Sequence, residues 1–293
     1  MAVDKLQASR FELKYIITEE TALLIRDYVA SYLELDEYGV GKPNYSYPVH
    51  SLYLDSDDLK LYWATINGNK NRFKLRIRFY NNNPETPVFF EIKRRMNNCI
   101  LKKRGSVRRE AVPLLVNGQF PEPSFLVSKE TRHMFAVQEF CQHMQQLNAK
   151  PKVHISYLRE AYVPHDDNSC RLTMDRDIRS DPELNLRLNT KMYHPIQVWG
   201  KNIVLELKFT NRFPDWFRDL VHVFNLVQCG AAKYVDGVAF QGEYKLRPSA
   251  ALVYGFDGNS PNAQGNGNGH APHPPSRLAN VPQPALTPET QTR

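Results

Sequence analysis

Between Asn71 and Asn81 the chain reads NRFKLRIRFYN, with Phe73, Leu75, Ile77 and Phe79 on one parity and Arg72, Lys74, Arg76 and Arg78 on the other. A period of two is the strand period, so this segment predicts a strand with one apolar face and one face of four cations. The same alternation predicts further strands at about 9–17, 47–55, 87–95, 100–109, 151–163, 169–178 and 202–210. Most of them segregate charge in the same way. RFELKY puts Arg10, Glu12 and Lys14 together, FFEIKRR puts Glu91, Lys93 and Arg95 together, and LKKRG pairs Lys102 with Arg104. ISYLREAY places Tyr157 with Arg159, RLTMDRDIR places Arg171 with Thr173 and Asp175, and LELKF places Glu206 with Lys208.

A helical period appears in fewer places. Thr18 is a capping residue for a helix running to about Leu35, with Ala22, Ile25, Val29 and Leu33 on its buried side. A second helix is predicted over about 123–147, a third from Pro214 to Val227 and a shorter one over 57–67. Eight strands with few helices predict an α+β fold: an eight-stranded antiparallel β-barrel, open through its middle as a tunnel, with the amphipathic helices packed outside. Helices covering the apolar strand faces would turn the charged faces inward.

Composition sharpens the reading. Of the 293 residues, 42% are hydrophobic and 24% charged, enough for a folded domain without metals or disulfides to hold it. The segment from Asp257 onward holds seven of the 20 prolines and no aromatic residue, so 257–293 is expected to be a disordered Pro/Gly/Asn-rich tail behind a domain at 1–256. The tail's charges cancel, so the net +7 belongs to the domain and points to an anionic partner. Cys99, Cys141, Cys170 and Cys229 form no CxxC pair or zinc spacing and are expected to be reduced. No signal core is visible, nor the roughly 18 apolar residues of a membrane span. A cytoplasmic protein is expected.

An interior of Arg and Lys with a few Glu cannot stay dry and unpaired. It suits water, a divalent metal and a highly charged anion. Arg forks and Lys point charges bind phosphate oxygens, and carboxylates hold the metal that bridges them. GVGK at 39–42 is too short for a phosphate loop, and no GxGxxG is present. His50, His154 and His222 lie in apolar segments and are expected to be packing residues. Single-stranded nucleic acid also binds basic strands, but a stacking platform wants aromatics and cations on one face, and here they alternate onto opposite faces.

In order along the chain, RxExKY, SLYLDS, KxRxRxY, EIKR, KKR, SYxRxAY, RLTxD, LELKF and AKY resemble the VTC (vacuolar transporter chaperone) polyphosphate polymerase domain, a branch of the triphosphate tunnel metalloenzymes or CYTH-like proteins. The likeness runs from Arg10 to about Gly237. It implies an eight-stranded tunnel, an ATP-dependent polyphosphate polymerase and Mn²⁺ or Mg²⁺ as cofactor. By motif, it implies catalytic roles for Arg76, Arg78, Lys93, Arg159 and Lys208, and a metal-binding role for Glu206. Lys14, Lys102, Tyr157, Arg171 and Lys233 would bind phosphate, with Lys103 the neighbouring alternative to Lys102. Arg104 joins them by sharing the face of Lys102. Arg10 stands where the wider superfamily has the first glutamate of ExExK, which fits the polymerase branch. Gly230 and Ala231 stand where a second lysine would accompany the KY motif. The regulatory and transmembrane domains of the yeast-type proteins are not in this sequence, so membrane coupling and polymer translocation do not carry over.

The expected activity is transfer of the terminal phosphoryl group of ATP to a growing polyphosphate chain. The alternatives are a metal-dependent triphosphatase with the same fold, and a non-catalytic binder of polyphosphate or nucleic acid. The expected partners are ATP and polyphosphate or tripolyphosphate, with room for a membrane partner protein.

Overall fold

The alternating segments fold as strands. Those of the first half are β1 (Arg10–Ile17), β2 (Glu34–Leu35), β3 (Tyr47–Asp55), β4 (Asn71–Phe79), β5 (Val88–Met96) and β6 (Cys99–Val107). β7 (Lys150–Val163), β8 (Cys170–Pro182), β9 (Ile196–Gln197) and β10 (Ile203–Thr210) follow. The helices are α1 (Glu19–Val29), α2 (Lys60–Ile66), α3 (Val112–Val116), α4 (Thr131–Leu147), α5 (Asp215–Val223) and α6 (Lys233–Gln241). This computed structural model describes residues 10–97, 99–165 and 169–247. Two units divide the chain, Met1–Val253 and Tyr254–Arg293. The second, and with it the tail expected at 257–293, lies outside the described residues.

The helices are shorter than their apolar periods suggest, for local reasons. The Thr18 hydroxyl accepts from the Thr21 amide at 3.2 Å and starts α1. That helix stops at Val29, because Glu34 and Leu35 leave it to pair with Val163 and Tyr162 of β7. α4 starts only at Thr131, because residues 125–127 pair with the end of β6: Leu126 bridges to Val107 and the Val127 amide donates to the Ser106 carbonyl at 3.1 Å.

The sheet is mixed with helices as an α+β fold. Its ten described strands run in the order β2-β7-β3-β4-β5-β6-β1-β10-β8-β9, all pairings being antiparallel. β7 also pairs with β8, from Val153↔Pro182 to Tyr162↔Leu172. β6 and β1 meet through one residue pair, Ile100 with Arg10. The eight-stranded barrel expected from the sequence is therefore not confirmed, because the sheet is open between β6 and β1 beyond that pair. Beyond Arg10 the free edge of β1 is taken by the segment after α5: Tyr15 bridges to Gln228, and the Cys229 amide donates to the Lys14 carbonyl at 2.9 Å.

That seam has a cause. α5 packs Phe217 and Leu220 on the apolar face of β1, β8 and β10, against Leu172, Leu205 and Leu207. α6 packs Tyr234, Val235 and Val238 against Tyr53, Val153, Ile155 and Val204, on the face that carries the charges. The chain must pass from one side of the sheet to the other between these helices, and it does so at β1. The expectation that all helices pack outside is corrected accordingly: α6 lies on the charged side. Gly237 permits this, since a Cβ there would meet Ile155 Cδ1 at 2.6 Å and Ser180 Oγ at 2.9 Å. On the outer face α4 covers β4 to β6, packing Val137, Phe140, Cys141 and Met144 on Leu75, Ile77, Phe90 and Ile92. Those last four are the apolar parity that the sequence displays.

Candidate active site

The cationic faces of β4, β5 and β6 gather around Glu91, whose side chain is fully buried. The Arg76 Nε–H donates to Glu91 Oε2 at 2.7 Å. Lys102 Nζ lies 2.8 Å from Glu91 Oε1, Arg104 Nε 3.4 Å, and Arg78 approaches Oε2 at 3.9 Å. Burial alone would raise the Glu91 carboxyl, but Arg76, Arg78 and Lys102 hold it well below the usual carboxylate range. Neutral donors and acceptors fix the guanidinium planes. Arg76 donates to Tyr53 Oη at 3.1 Å, and Arg78 donates to Tyr157 Oη at 3.0 Å and to Ser51 Oγ at 3.3 Å. The Arg104 guanidinium stacks 3.5 Å over the Phe89 ring.

A second cluster centres on Glu206, where β1, β8, β10 and α6 meet. Lys233 Nζ donates to Glu206 Oε1 at 2.8 Å and Lys208 Nζ to Oε2 at 2.6 Å. Lys14 Nζ lies 3.3 Å from Oε1 and Arg159 3.5 Å from Oε2. Arg159 also forks onto Asp175, both bonds being 2.7 Å, and Lys233 reaches the same carboxylate at 2.7 Å. Glu12 accepts from Lys93 at 2.9 Å and lies 3.2 Å from Lys14. The Glu12–Lys93 pair spans from β1 to β5 across the open seam. Burial would raise Glu206, but Lys208, Lys233, Lys14 and Arg159 hold it far below its ordinary value. Burial pushes the Lys208 ammonium down to about 8, against the pull of Glu206.

Every site residue expected from the sequence therefore lies on the charged side, and all but one join the two clusters. The exception is Arg171, which sits on the rim, donating to Asp36 Oδ2 at 2.5 Å with its side chain 37% exposed. The ambiguity between Lys102 and Lys103 is resolved by parity: Lys102 turns in to Glu91, and Lys103 turns out to Glu139 on α4. Sequence reasoning missed the roles of Glu12, Glu91 and Asp175 as counter-ions, of Ser51 and Tyr53 as supports, and of Asp36 at the rim. Glu12, Glu91 and Asp175 were visible by parity. Asp36 was not, because it comes from the turn after β2 and reaches Arg171 only through the fold. His50 and His154 pack as expected, 3.0 Å apart and buried, whereas His222 is exposed.

The charges do not balance. Ten cations (Lys14, Lys74, Arg76, Arg78, Lys93, Lys102, Arg104, Arg159, Lys208 and Lys233) meet five carboxylates, Glu12, Glu91, Asp175, Glu206 and Asp236. Partly enclosed cations in such excess favour a polyanion carrying several charges on a narrow chain. Among the described residues, no cluster of three or more His, Cys, Asp or Glu side chains could cage a metal by itself. Glu206, the carboxylate expected to hold a divalent ion, already accepts from Lys233 on Oε1 and from Lys208 on Oε2, so an ion there would take the place of a lysine, with phosphate oxygens of a bound chain as its other ligands.

A family model described as the VTC domain matches residues 9–241. Among solved structures, a Bacillus halodurans protein provisionally described as an adenylate cyclase matches over 77% of this chain and 94% of its own, with 14% identity and a TM-score of 0.42. No curated protein matches the chain.

Proposed function

The chain belongs to the VTC domain family, and from that premise we propose that it transfers the terminal phosphoryl group of ATP to a growing polyphosphate chain. The observation that carries this reading is the surplus of cations over carboxylates on the charged side of the sheet, in the space between its strands and α6. We read that space as a tunnel, with the β1–β6 seam closed by segment 228–232.

In the reaction, a terminal oxygen of the polyphosphate attacks the γ-phosphorus of ATP. The bond to the ADP oxygen breaks, and ADP leaves with that electron pair. The transition state is loose, so catalysis consists mainly of alignment and stabilisation of charge on the equatorial oxygens. Arg76, Arg78 and Arg159 supply planar forks for those oxygens, and each is pre-oriented by a hydrogen bond to Tyr53, Tyr157 or Asp175. Lys93 and Lys208 supply point charges beside them. Lys14, Lys102, Arg104, Tyr157 and Lys233 hold the flanking phosphates, and Arg171 meets them at the rim. Glu206 would hold Mg²⁺ or Mn²⁺, which neutralises charge between neighbouring phosphates when bound.

A polyphosphate terminus is already an anion and needs no general base, which suits a site where the cations hold Glu12, Glu91, Asp175 and Glu206 below their ordinary values. A hydrolase would instead have Asp236, raised by burial, or Lys102, pushed down to about 7, to activate water, so the choice rests on the product formed. The deciding assay supplies ATP and Mg²⁺ or Mn²⁺. A long anionic polymer is the expected product; free phosphate alone would mean a triphosphatase, and no turnover a binding module.

A further inference from the structure

Along the β4–β5 ladder the facing pairs change character. Arg76 faces Glu91, Lys74 faces Lys93, and Arg72 faces Arg95. Like charges directly opposite in an antiparallel pair are destabilising, yet two such pairs follow each other on the inner face. Glu12 compensates Lys93. Among the described residues, no carboxylate pairs with Lys74, Arg72, Arg95 or Lys70. Lys74 Nζ lies 5.9 Å from the centre of the Tyr234 ring. Lys14, Lys93 and Arg72 repel it, and Asp236 of α6 opposes them. Among the described residues, Arg72 and Arg95 donate to backbone carbonyls, those of Asn69 and Asn97. Where β4 begins and β5 ends, an open cleft of about 420 Å³ is lined by Gly68, Lys70, Arg72, Arg95 and Asn97.

We propose that Lys74, Arg72, Arg95 and Lys70 form a second polyphosphate subsite, which holds the part of a long chain that lies beyond the reacting phosphates. The inference rests on the proposed function for the central clusters and adds a polarity to it. In the centre, the cations are partly balanced by carboxylates that compete with the ligand. At the start of β4 they form no ion pair with a carboxylate among the described residues, and a phosphate there competes with the neutral carbonyls of Asn69 and Asn97. A polymer anchored there is retained between successive transfers, while a short chain that fills only the centre gains nothing from it. Burial and the neighbouring cations push Lys74 down to about 7, so an arriving phosphate draws a proton onto it.

The test compares tripolyphosphate with a long inorganic polyphosphate, both titrated calorimetrically into the protein. The wild type is expected to bind the long chain at least about tenfold more tightly than tripolyphosphate, a difference of about 1.4 kcal/mol. R72A/R95A should lose most of that gain while its tripolyphosphate affinity moves far less. K74M should lose part of the gain and K74R should restore it, with less proton uptake when buffers of different ionisation enthalpy are compared. Removing like charges should not lower the melting temperature of the free R72A/R95A protein, so a folding defect would be visible separately. Equal losses for both ligands, or none for the long chain, overturn the subsite. Binding of the long chain alone, lost in R72A/R95A, would keep the subsite and remove the central reading.

Discussion

Arg76 and Glu91 stand opposite each other in the β4–β5 register, and the Arg76 Nε–H donates to a buried Glu91 oxygen at 2.7 Å. The carboxylate fixes the guanidinium but occupies only part of its fork, which leaves Nη donors for Tyr53 and for a ligand. Arg78, one strand period on, is oriented by Tyr157 and Ser51 and lies 3.9 Å from Glu91. Neither arginine is free to rotate away, and alignment before reaction is what a loose transition state rewards.

Arg76→Ala and Arg78→Ala should each lower the rate of polymer synthesis by roughly 10³-fold, the scale associated with an arginine acting on transition-state charge. Steady-state assays of ATP consumption and polymer yield check this. A variant that keeps more than about a tenth of wild-type turnover would remove that arginine from the reacting centre.

Glu206→Gln should abolish metal-dependent activity and also lower stability, since it removes the buried carboxylate shared by Lys14, Arg159, Lys208 and Lys233. The amide keeps the shape but loses the charge that a divalent ion requires. It also frees Lys14, Lys208 and Lys233 from their common partner. Metal titration in the presence of tripolyphosphate should show the loss of affinity directly. An unchanged metal affinity would place the ion on phosphate oxygens alone.

Much of this site was legible in the sequence because strand parity is a strong signal. Apolar residues such as Leu75, Ile77 and Phe90 fell beneath α4, and from that the inward direction of Arg76, Arg78 and Glu91 followed. What parity could not convey was pairing partners. Tyr53 meets Arg76 and Tyr157 meets Arg78 only because β3 lies between β4 and β7 in the sheet. α6 was not legible either. It is nine residues long with Gly237 at its middle, where glycine lowers helix propensity but admits close packing on Ile155. The seam at β1 was hidden for a related reason, since it is imposed by the route from α5 to α6 and not by the strand itself.

Tyr234→Phe should separate anchoring from chemistry. The Tyr234 hydroxyl donates to Asp55 Oδ2 at 2.6 Å, and its ring stacks on Tyr53 with centroids 4.8 Å apart. Asp55 keeps the Ser56, Leu61 and Tyr62 amides as donors, so it is not left alone. A loss of about 1–2 kcal/mol in denaturant unfolding is expected for this buried hydrogen bond. Lys233 precedes Tyr234 on α6, so a raised KM for polyphosphate should accompany it.

Lys74 makes the free protein sensitive to pH. Burial, with Lys14 and Lys93 nearby, lowers its ammonium from 10.5 to about 7, and Asp236 offsets only part of this. Between those values the unfolded chain binds the extra proton, so this residue's contribution makes stability rise as pH climbs from about 7 toward 10.5. Lys74→Met should therefore stabilise the free protein most at neutral pH, with the difference shrinking toward pH 10.5. Urea melts of both proteins across that range check the sign. A difference that grows with pH would mean that Lys74 has an anionic partner in solution.

The excess of cations predicts which ligands stabilise the fold. Their mutual repulsion opposes folding, and an anion that binds only the folded state relieves it. Tripolyphosphate at 100 times its dissociation constant should add about 2.7 kcal/mol by mass action. The gain should persist, weakened, in moderate salt, because enclosed charges are screened less than exposed ones. Sulfate at equal ionic strength should do less, since one tetrahedral anion cannot reach from the Glu91 cluster to the Glu206 cluster. Single-stranded DNA should do less still. Its bases need exposed aromatic faces beside the cations. Contrary to the expectation that aromatics lie on the opposite face, Tyr53 stands by Arg76, Tyr157 by Arg159 and Tyr234 by Lys74, but all three rings are buried and offer no platform. Thermal melts with the three anions decide the matter. If DNA stabilises as much as tripolyphosphate does, the cations serve an open surface and the phosphoryl-transfer reading fails.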